Sequence, residues 1–246
     1  MSHSRREVEA LAPSGAEVAA LAVARARVLD AIDAACARSG RNPREVSLVA
    51  VTKTVPAERL RAAALAGLGP FGENRVQEAE AKVPLVPGAS WHLIGPLQSN
   101  KARRAVEAFD VIETVDSIEL ARRLDGIATD LRPDRPLPVL IQVNVDRDPA
   151  KAGFDPDDLE ASLPEMLACP GLRLDGLMTI GRLVADPDSA RPAFRALREL
   201  GQRLRERFPA LGAQLSMGMS DDYPVAVEEG ATLVRVGRAL FGERPK

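Results

Sequence analysis

Val46–Thr52 reads VSLVAVT, a short, apolar, β-branched run of the kind that forms a strand covered on both faces. Before it the period is helical. Val18, Leu21, Ala22, Val28, Leu29, Ile32, Ala35 and Cys36 line one face of a helix over Ala16–Arg38, which Gly40 and Pro43 stop. After it, strand and helix alternate. Pro56 opens a helix that Gly67 and Gly69 close. A strand near Leu68–Gly72 precedes a helix from about Glu73, and Trp91–Ile94 is followed by a helix over Ser99–Phe109. Val111–Val115 comes next, with Asp116 as N-cap and Glu119 three residues on, like a capping box. Pro138–Val145 (PVLIQVNV) is the plainest strand, and its helix lies near Asp157–Ala168. Leu172–Thr179, a helix over Ser189–Phe208, Gln214–Met217, a helix after Asp221 and finally Leu233–Val236 complete the series. Eight short strands separated by helices, without a run of hairpins, predict a closed parallel (β/α)8 TIM barrel with an extra N-terminal helix. An open doubly wound sheet shares the alternation, but the count favours the barrel.

Length and composition agree. The chain has 246 residues, and a single barrel of this class runs to about 250. Residues 1–15 mix charge with Pro13, Ser14 and Gly15 and read as a flexible extension, leaving residues 16–246 for the barrel. Its 33 basic and 35 acidic residues are scattered, so no block tracks a nucleic-acid backbone. The Leu60–Leu68 stretch is too short for a bilayer and is interrupted by Arg61, and the start lacks a signal-like apolar run. Cys36 and Cys169 make no metal or redox motif, and Cys36 belongs to the apolar stripe of its helix. A cytoplasmic protein without membrane or nucleic-acid partners is expected.

Barrel chemistry gathers where strands end at their C-terminal side. Lys53 stands there: alternation puts Val49, Val51 and Lys53 on one face and Leu48 and Ala50 on the other. If the first face is the interior, the amine sits among apolar walls, which disfavour its charged form and prepare it to attack an aldehyde. A solvated loop lysine is the plain alternative. In Leu233-Val234-Arg235-Val236-Gly237-Arg238, Arg235 shares a face with Leu233, and Gly237 lets a backbone turn approach an anion. The plain alternative is a surface arginine and a packing glycine. Ser216-Met217-Gly218-Met219-Ser220-Asp221-Asp222 occupies the rim after the seventh strand, where this fold commonly grips phosphate. Ser216 suits the anion, while Ser220 or Asp221 suits an N-cap. His92 has no triad or metal partner in the sequence and reads as a satisfied structural group.

Together VAVTKT (49–54), FGENRVQE (71–78), WHLIGPLQSNK (91–101), GLMTIG (176–181), LSMGMSDD (215–222) and VRVGRALFG (234–242) resemble the pyridoxal phosphate homeostasis family, single-barrel relatives of the alanine racemase N-terminal domain. The resemblance implies that Lys53 holds pyridoxal 5'-phosphate as a Schiff base. Ser216 and the backbone at Gly237 and Arg238 would bind the phosphate. Arg235 would face the pyridine nitrogen, and Asn74 would lie near the ring's phenolic oxygen. Arg238 replaces a usual Thr, and Arg75 stands where Tyr is common.

The resemblance also points to a cofactor carrier, with apoenzymes as acceptors, rather than an enzyme. An arginine at the ring nitrogen weakens the electron sink that a carboxylate would support. Racemisation needs an acid/base on each face; related racemases take the second from an added domain, and here Tyr223, the only tyrosine, belongs to a helix. A slow amino-acid racemase, a cofactor-free Schiff-base aldolase and an interaction module are the rivals. The pocket needs no second chain, so a monomer is expected, and Asp146–Phe154 with Lys151 reads as a flexible gate.

Overall fold

A computed structural model describes residues 13–182 and 184–243. Its eight strands are β1 (Ser47–Val51), β2 (Phe71–Glu73), β3 (Trp91–Leu93), β4 (Val111–Val115), β5 (Leu137–Gln142), β6 (Leu172–Met178), β7 (Gln214–Ser216) and β8 (Leu233–Val236). They close in chain order, all parallel, with β8 bonded back to β1 through pairs such as Val49 with Arg235. The expected (β/α)8 barrel is therefore present. Helix α1 (Gly15–Ser39) precedes it. Helices α2 (Ala57–Leu65), α3 (Val76–Lys82), α4 (Ala102–Ala108), α5 (Ile118–Leu131), α6 (Leu159–Leu167), α7 (Arg191–Arg207), α8 (Tyr223–Glu228) and the single turn α9 (Arg238–Phe241) follow the strands. Most of the expected extension, residues 1–12, lies outside the described residues, and Gly15 already begins α1.

Several boundaries move for local reasons. Pro70 has no amide to donate, so β2 starts at Phe71, whose N–H reaches the Ser90 carbonyl. Ladder pairing of β5 ends at Gln142 because Val143 and Asn144 bridge to Phe154 in the following loop. The cap of α5 is Ser117, whose hydroxyl accepts from the Leu120 amide at 3.2 Å. Asp116 is thus one residue early, and Glu119 falls out of capping-box register. Likewise Asp222, not Ser220 or Asp221, precedes α8, and its Oδ1 accepts from the Met219 amide at 2.6 Å.

Two apolar layers hold the barrel. The outer one lies between strands and helices and contains Leu48, Ala50, Phe71, Trp91, Phe109 and Phe194, with the Phe71 and Trp91 rings 5.3 Å apart. The inner one is a plug of Val49, Leu140, Met178 and Leu233. Burying each such side chain contributes about 1.5–3 kcal/mol. Val49 inside and Leu48 and Ala50 outside match the alternation expected for β1. Helix α1 packs on α2, α8 and α9, covering the seam where β1 meets β8. Arg41 beyond its end donates to the Val227 and Ala231 carbonyls at 2.5 and 2.9 Å, and Cys36 is buried in its inner face.

Candidate functional site

The chain leaves β1 through Lys53 and Thr54. Thr54 holds φ at 66°, a left-handed value that a β-branched residue adopts only under constraint. Lys53 lines a cleft of about 280 Å³ with Val51, Val55, Gly237, Arg238 and Phe241. The end of β1 and the start of α9 face each other across it, far apart in sequence. Opposite them the β7–α8 loop turns back at Gly218, where φ is 90° and a Cβ would lie 2.5 Å from Ala226 Cβ. That turn brings the Ser220 hydroxyl to accept from the Gly237 amide at 3.1 Å. The guanidinium of Arg238 pairs with Asp221 across the same two loops.

Lys53, Gly237 and Arg238 therefore line one cleft. Asn74 lines a neighbouring cleft of about 820 Å³ with Arg75, Gln98 and Lys101. The two rim loops there run in close contact: a Cβ at Gly95 would sit 2.3 Å from the Asn74 carbonyl oxygen. Arg235 points into the barrel, buried to 4 % exposure, as its shared face with Leu233 implied.

Ser216 is placed differently from its expected role on the phosphate. The pleat of β7 turns it inward, fully buried, with its hydroxyl between Arg235 Nη1 and Glu113 Oε2, each at 2.5 Å. It has no reach to the rim. Ser220, four residues on in the same motif, is the hydroxyl at the Gly237 amide.

The loop over Asp146–Phe154 is not loose. Asn144 bonds Asp148 through its amide group, Phe154 N–H reaches the Gln142 carbonyl at 2.8 Å, and Lys151 Nζ donates to Asp146 and the Ile180 carbonyl, each at 3.1 Å. His92, read as structural, is buried against Glu113 at 2.6 Å. Glu113, in the strand VIETV, carries no sequence signal of this role. Burial alone would raise its carboxyl, but the hydrogen bond and charge of His92, the Arg235 charge and the Ser216 hydrogen bond outweigh this and hold it below the ordinary carboxylate range. Burial draws the Arg235 guanidinium down, against the pull of Glu113 and Asp222. Tyr223 is the first residue of α8 and buried. No grouping of His, Cys, Asp and Glu suited to a metal occurs among the described residues.

The barrel and its rim define a class. Residues 17–245 match the alanine racemase N-terminal domain. A pyridoxal phosphate homeostasis protein of Pseudomonas aeruginosa is 44 % identical over 225 residues, covering 89 % of this chain and 94 % of that one. Its counterpart in Escherichia coli K12 is 41 % identical over 226 residues, with the same coverage of each. PipY of Synechococcus elongatus, solved with PLP bound, superposes with a TM-score of 0.75 at 44 % identity over 86 % of this chain and all (100 %) of PipY. The chain belongs to the pyridoxal phosphate homeostasis protein family.

Proposed function

We propose that this protein binds pyridoxal 5'-phosphate in the Lys53 cleft and serves in homeostasis of that cofactor, holding it as a Schiff base and releasing it to acceptor apoenzymes. One observation carries the reading: the Lys53 amine and the Gly237–Arg238 turn wall one small cleft at the barrel mouth, and the Ser220 hydroxyl stands behind that turn at the Gly237 amide. The donor set fits the group. When bound, the cofactor supplies an aldehyde that condenses reversibly with a primary amine. Lys53 offers that amine, and the Ser220 hydroxyl, which accepts from the Gly237 amide, keeps its own proton to donate to an anion beside the start of α9. The cleft volume lies near the low end of the range for ligand pockets, about 300–1,000 Å³, as suits a single ring and its phosphate. Arg235, below the mouth, would serve the pyridine nitrogen, and Asn74, in the neighbouring cleft, would serve the phenolic oxygen. Arg238 adds a positive charge at this rim, paired with Asp221.

Holding rather than turnover is favoured by what surrounds the cleft. Arg235 is a permanent cation and does not stabilise a second positive charge at the ring. Tyr223 is enclosed in α8 and is not presented as a second acid. The racemase of Clostridium difficile shares 15 % identity, a likeness of fold alone. No described helix is long and apolar enough to cross a membrane. We place the protein in the cytoplasm as a monomer. Release requires the mouth to open, and the Asp146–Phe154 loop, latched by Lys151, is the segment we assign to it. Lys151→Ala should then alter the rate of transfer to an apoenzyme, and an unchanged rate removes the gate.

The deciding experiment is an absorbance spectrum of the purified protein before and after borohydride reduction, with peptide mapping of the product. A visible band that borohydride bleaches, with the label on Lys53, is expected, as is its loss in Lys53→Ala. A Lys53→Ala protein that stays equally yellow overturns the reading. A chiral assay with alanine and serine tests the racemase alternative directly.

A further inference from the structure

A row of polar side chains crosses the barrel interior beneath the cleft. Arg235 on β8 donates from Nη1 to Ser216 Oγ at 2.5 Å and from Nη2 to the Thr179 carbonyl at 2.7 Å. Ser216 on β7 donates to Glu113 Oε2 at 2.5 Å, and Glu113 Oε1 on β4 lies 2.6 Å from His92 Nδ1 on β3. Glu113 and Ser216 are fully buried, Arg235 and His92 nearly so.

Chemistry fixes the order of protons along this row. A guanidinium has donors only, so Ser216 accepts from Arg235 and turns its own proton toward Glu113. A carboxylate accepts at both oxygens, which places a proton on His92 Nδ1. Stability does not account for the arrangement. Removing a cation and an anion from water costs several kcal/mol per ion, and apolar residues of like volume commonly serve as well. The neighbouring plug of Val49, Leu140, Met178 and Leu233 fills the same barrel in that apolar way. What the row achieves is a guanidinium held at a fixed place under the mouth. Arg235 shares its face with Gly237, two residues on, and is in register with Val49, on the same face of β1 as Val51 and Lys53.

We propose that Glu113 is a positioning residue of the cofactor site: acting through Ser216, with His92 holding its second oxygen, it fixes Arg235 and balances its charge under the Lys53 cleft. The inference rests on reading that cleft as the pyridoxal phosphate site. Without the Glu113 charge the floor carries an uncompensated cation, which disfavours protonation of any nitrogen above it. One unit charge about 10 Å away at an effective dielectric of about 20 moves a titration by on the order of one pH unit. The other charges facing the cleft, Arg59, Glu243, and Arg238 with Asp221, and Asp222 beneath the β7 loop, stay in place when Glu113 is changed.

The test titrates the visible band of the full chain loaded with pyridoxal phosphate, in wild type, Glu113→Gln, Glu113→Asp and Ser216→Ala. Glu113→Gln should lower the midpoint by about one unit, and Glu113→Asp should restore it. Ser216→Ala keeps both charges but cuts the link, so its midpoint should stay put. Its affinity for the cofactor should fall about tenfold, the worth of one charge-assisted hydrogen bond. A cooperatively melting Glu113→Gln protein with an unmoved midpoint overturns the inference while leaving Lys53 binding intact. If Glu113→Gln does not fold, wild-type affinity in Ser216→Ala overturns it instead. A wild-type protein that takes up no colour refutes the reading of the cleft, and the inference with it.

Discussion

Glu73 on β2 and Glu113 on β4 are both fully buried, yet they lie on opposite faces of the barrel wall and titrate in opposite directions. Glu73 points outward under α3. Its Oε1 takes Lys82 Nζ at 2.7 Å and Thr52 Oγ1 at 2.6 Å, while its Oε2 has no hydrogen-bond partner among the described residues. Burial raises its carboxyl, and the Lys82 and Thr52 contacts offset this only in part. Glu113 points inward with both oxygens occupied, and stays below the ordinary range. Equal burial with unequal pairing separates them, so satisfaction of the lone pairs, not depth, decides in which direction each carboxyl moves. The outer trio also has a structural task. Lys82 Nζ donates to the Thr52 carbonyl at 2.8 Å, pinning the residue that precedes Lys53.

The largest effect is expected from Lys82→Ala, which strands Glu73 without its cation and should cost about 3–5 kcal/mol in urea unfolding at neutral pH. Because the folded carboxyl of Glu73 lies above its unfolded value, the cost of its charge is relieved as pH falls through that raised value. The Lys82→Ala penalty should therefore shrink in mild acid, and a penalty that holds constant would break the contrast. Glu113→Gln should cost somewhat less, about 3 kcal/mol, because it leaves the buried Arg235 cation without its counter-charge but keeps the shape of the side chain. Here the folded carboxyl lies below its unfolded value of about 4.3. Its contribution is present above that value and lost as pH falls through the lower folded one. Unfolding at stepped pH should thus show the Glu113→Gln penalty level through mild acid and fading only below about pH 4. Thr54→Gly should have the smallest effect, raising thermal stability by about 1 kcal/mol or less as the left-handed backbone is relieved. A melting temperature that falls would show that Thr54 makes contacts worth more than its strain.

Much of this architecture is legible in the sequence, because buried parallel strands are written as short apolar runs. Val111–Val115 and Leu233–Val236 fall on their observed bounds, and Val49 faces inward as pleat alternation requires. Neighbouring candidates for one cap were harder. Asp116 and Ser117, or Asp221 and Asp222, differ in which side chain meets a free amide, and that depends on the exit angle of the preceding strand. The same one-dimensional limit misplaced Ser216. Whether it or Ser220 reaches the rim depends on where β7 stops, and Gly218 marks the turn only once the packing against Ala226 is known. Glu113 was invisible because its partner Ser216 lies 103 residues away. The Asp146–Phe154 stretch has a mobile composition, but its polar side chains are spent on bonds within the loop and to its neighbours, as with Lys151 at the Ile180 carbonyl and Arg147 at Asp157.

The seam between β1 and β8 has a consequence for biosynthesis. The amine of Lys53 is made early on the ribosome, whereas the Gly237 turn that walls the same cleft is made late, with nearly the whole barrel between them. A nascent chain paused before the eighth strand carries a lysine but has no receptacle. The cleft therefore exists only after ring closure, and a ligand that needs both of its walls must wait for the eighth strand.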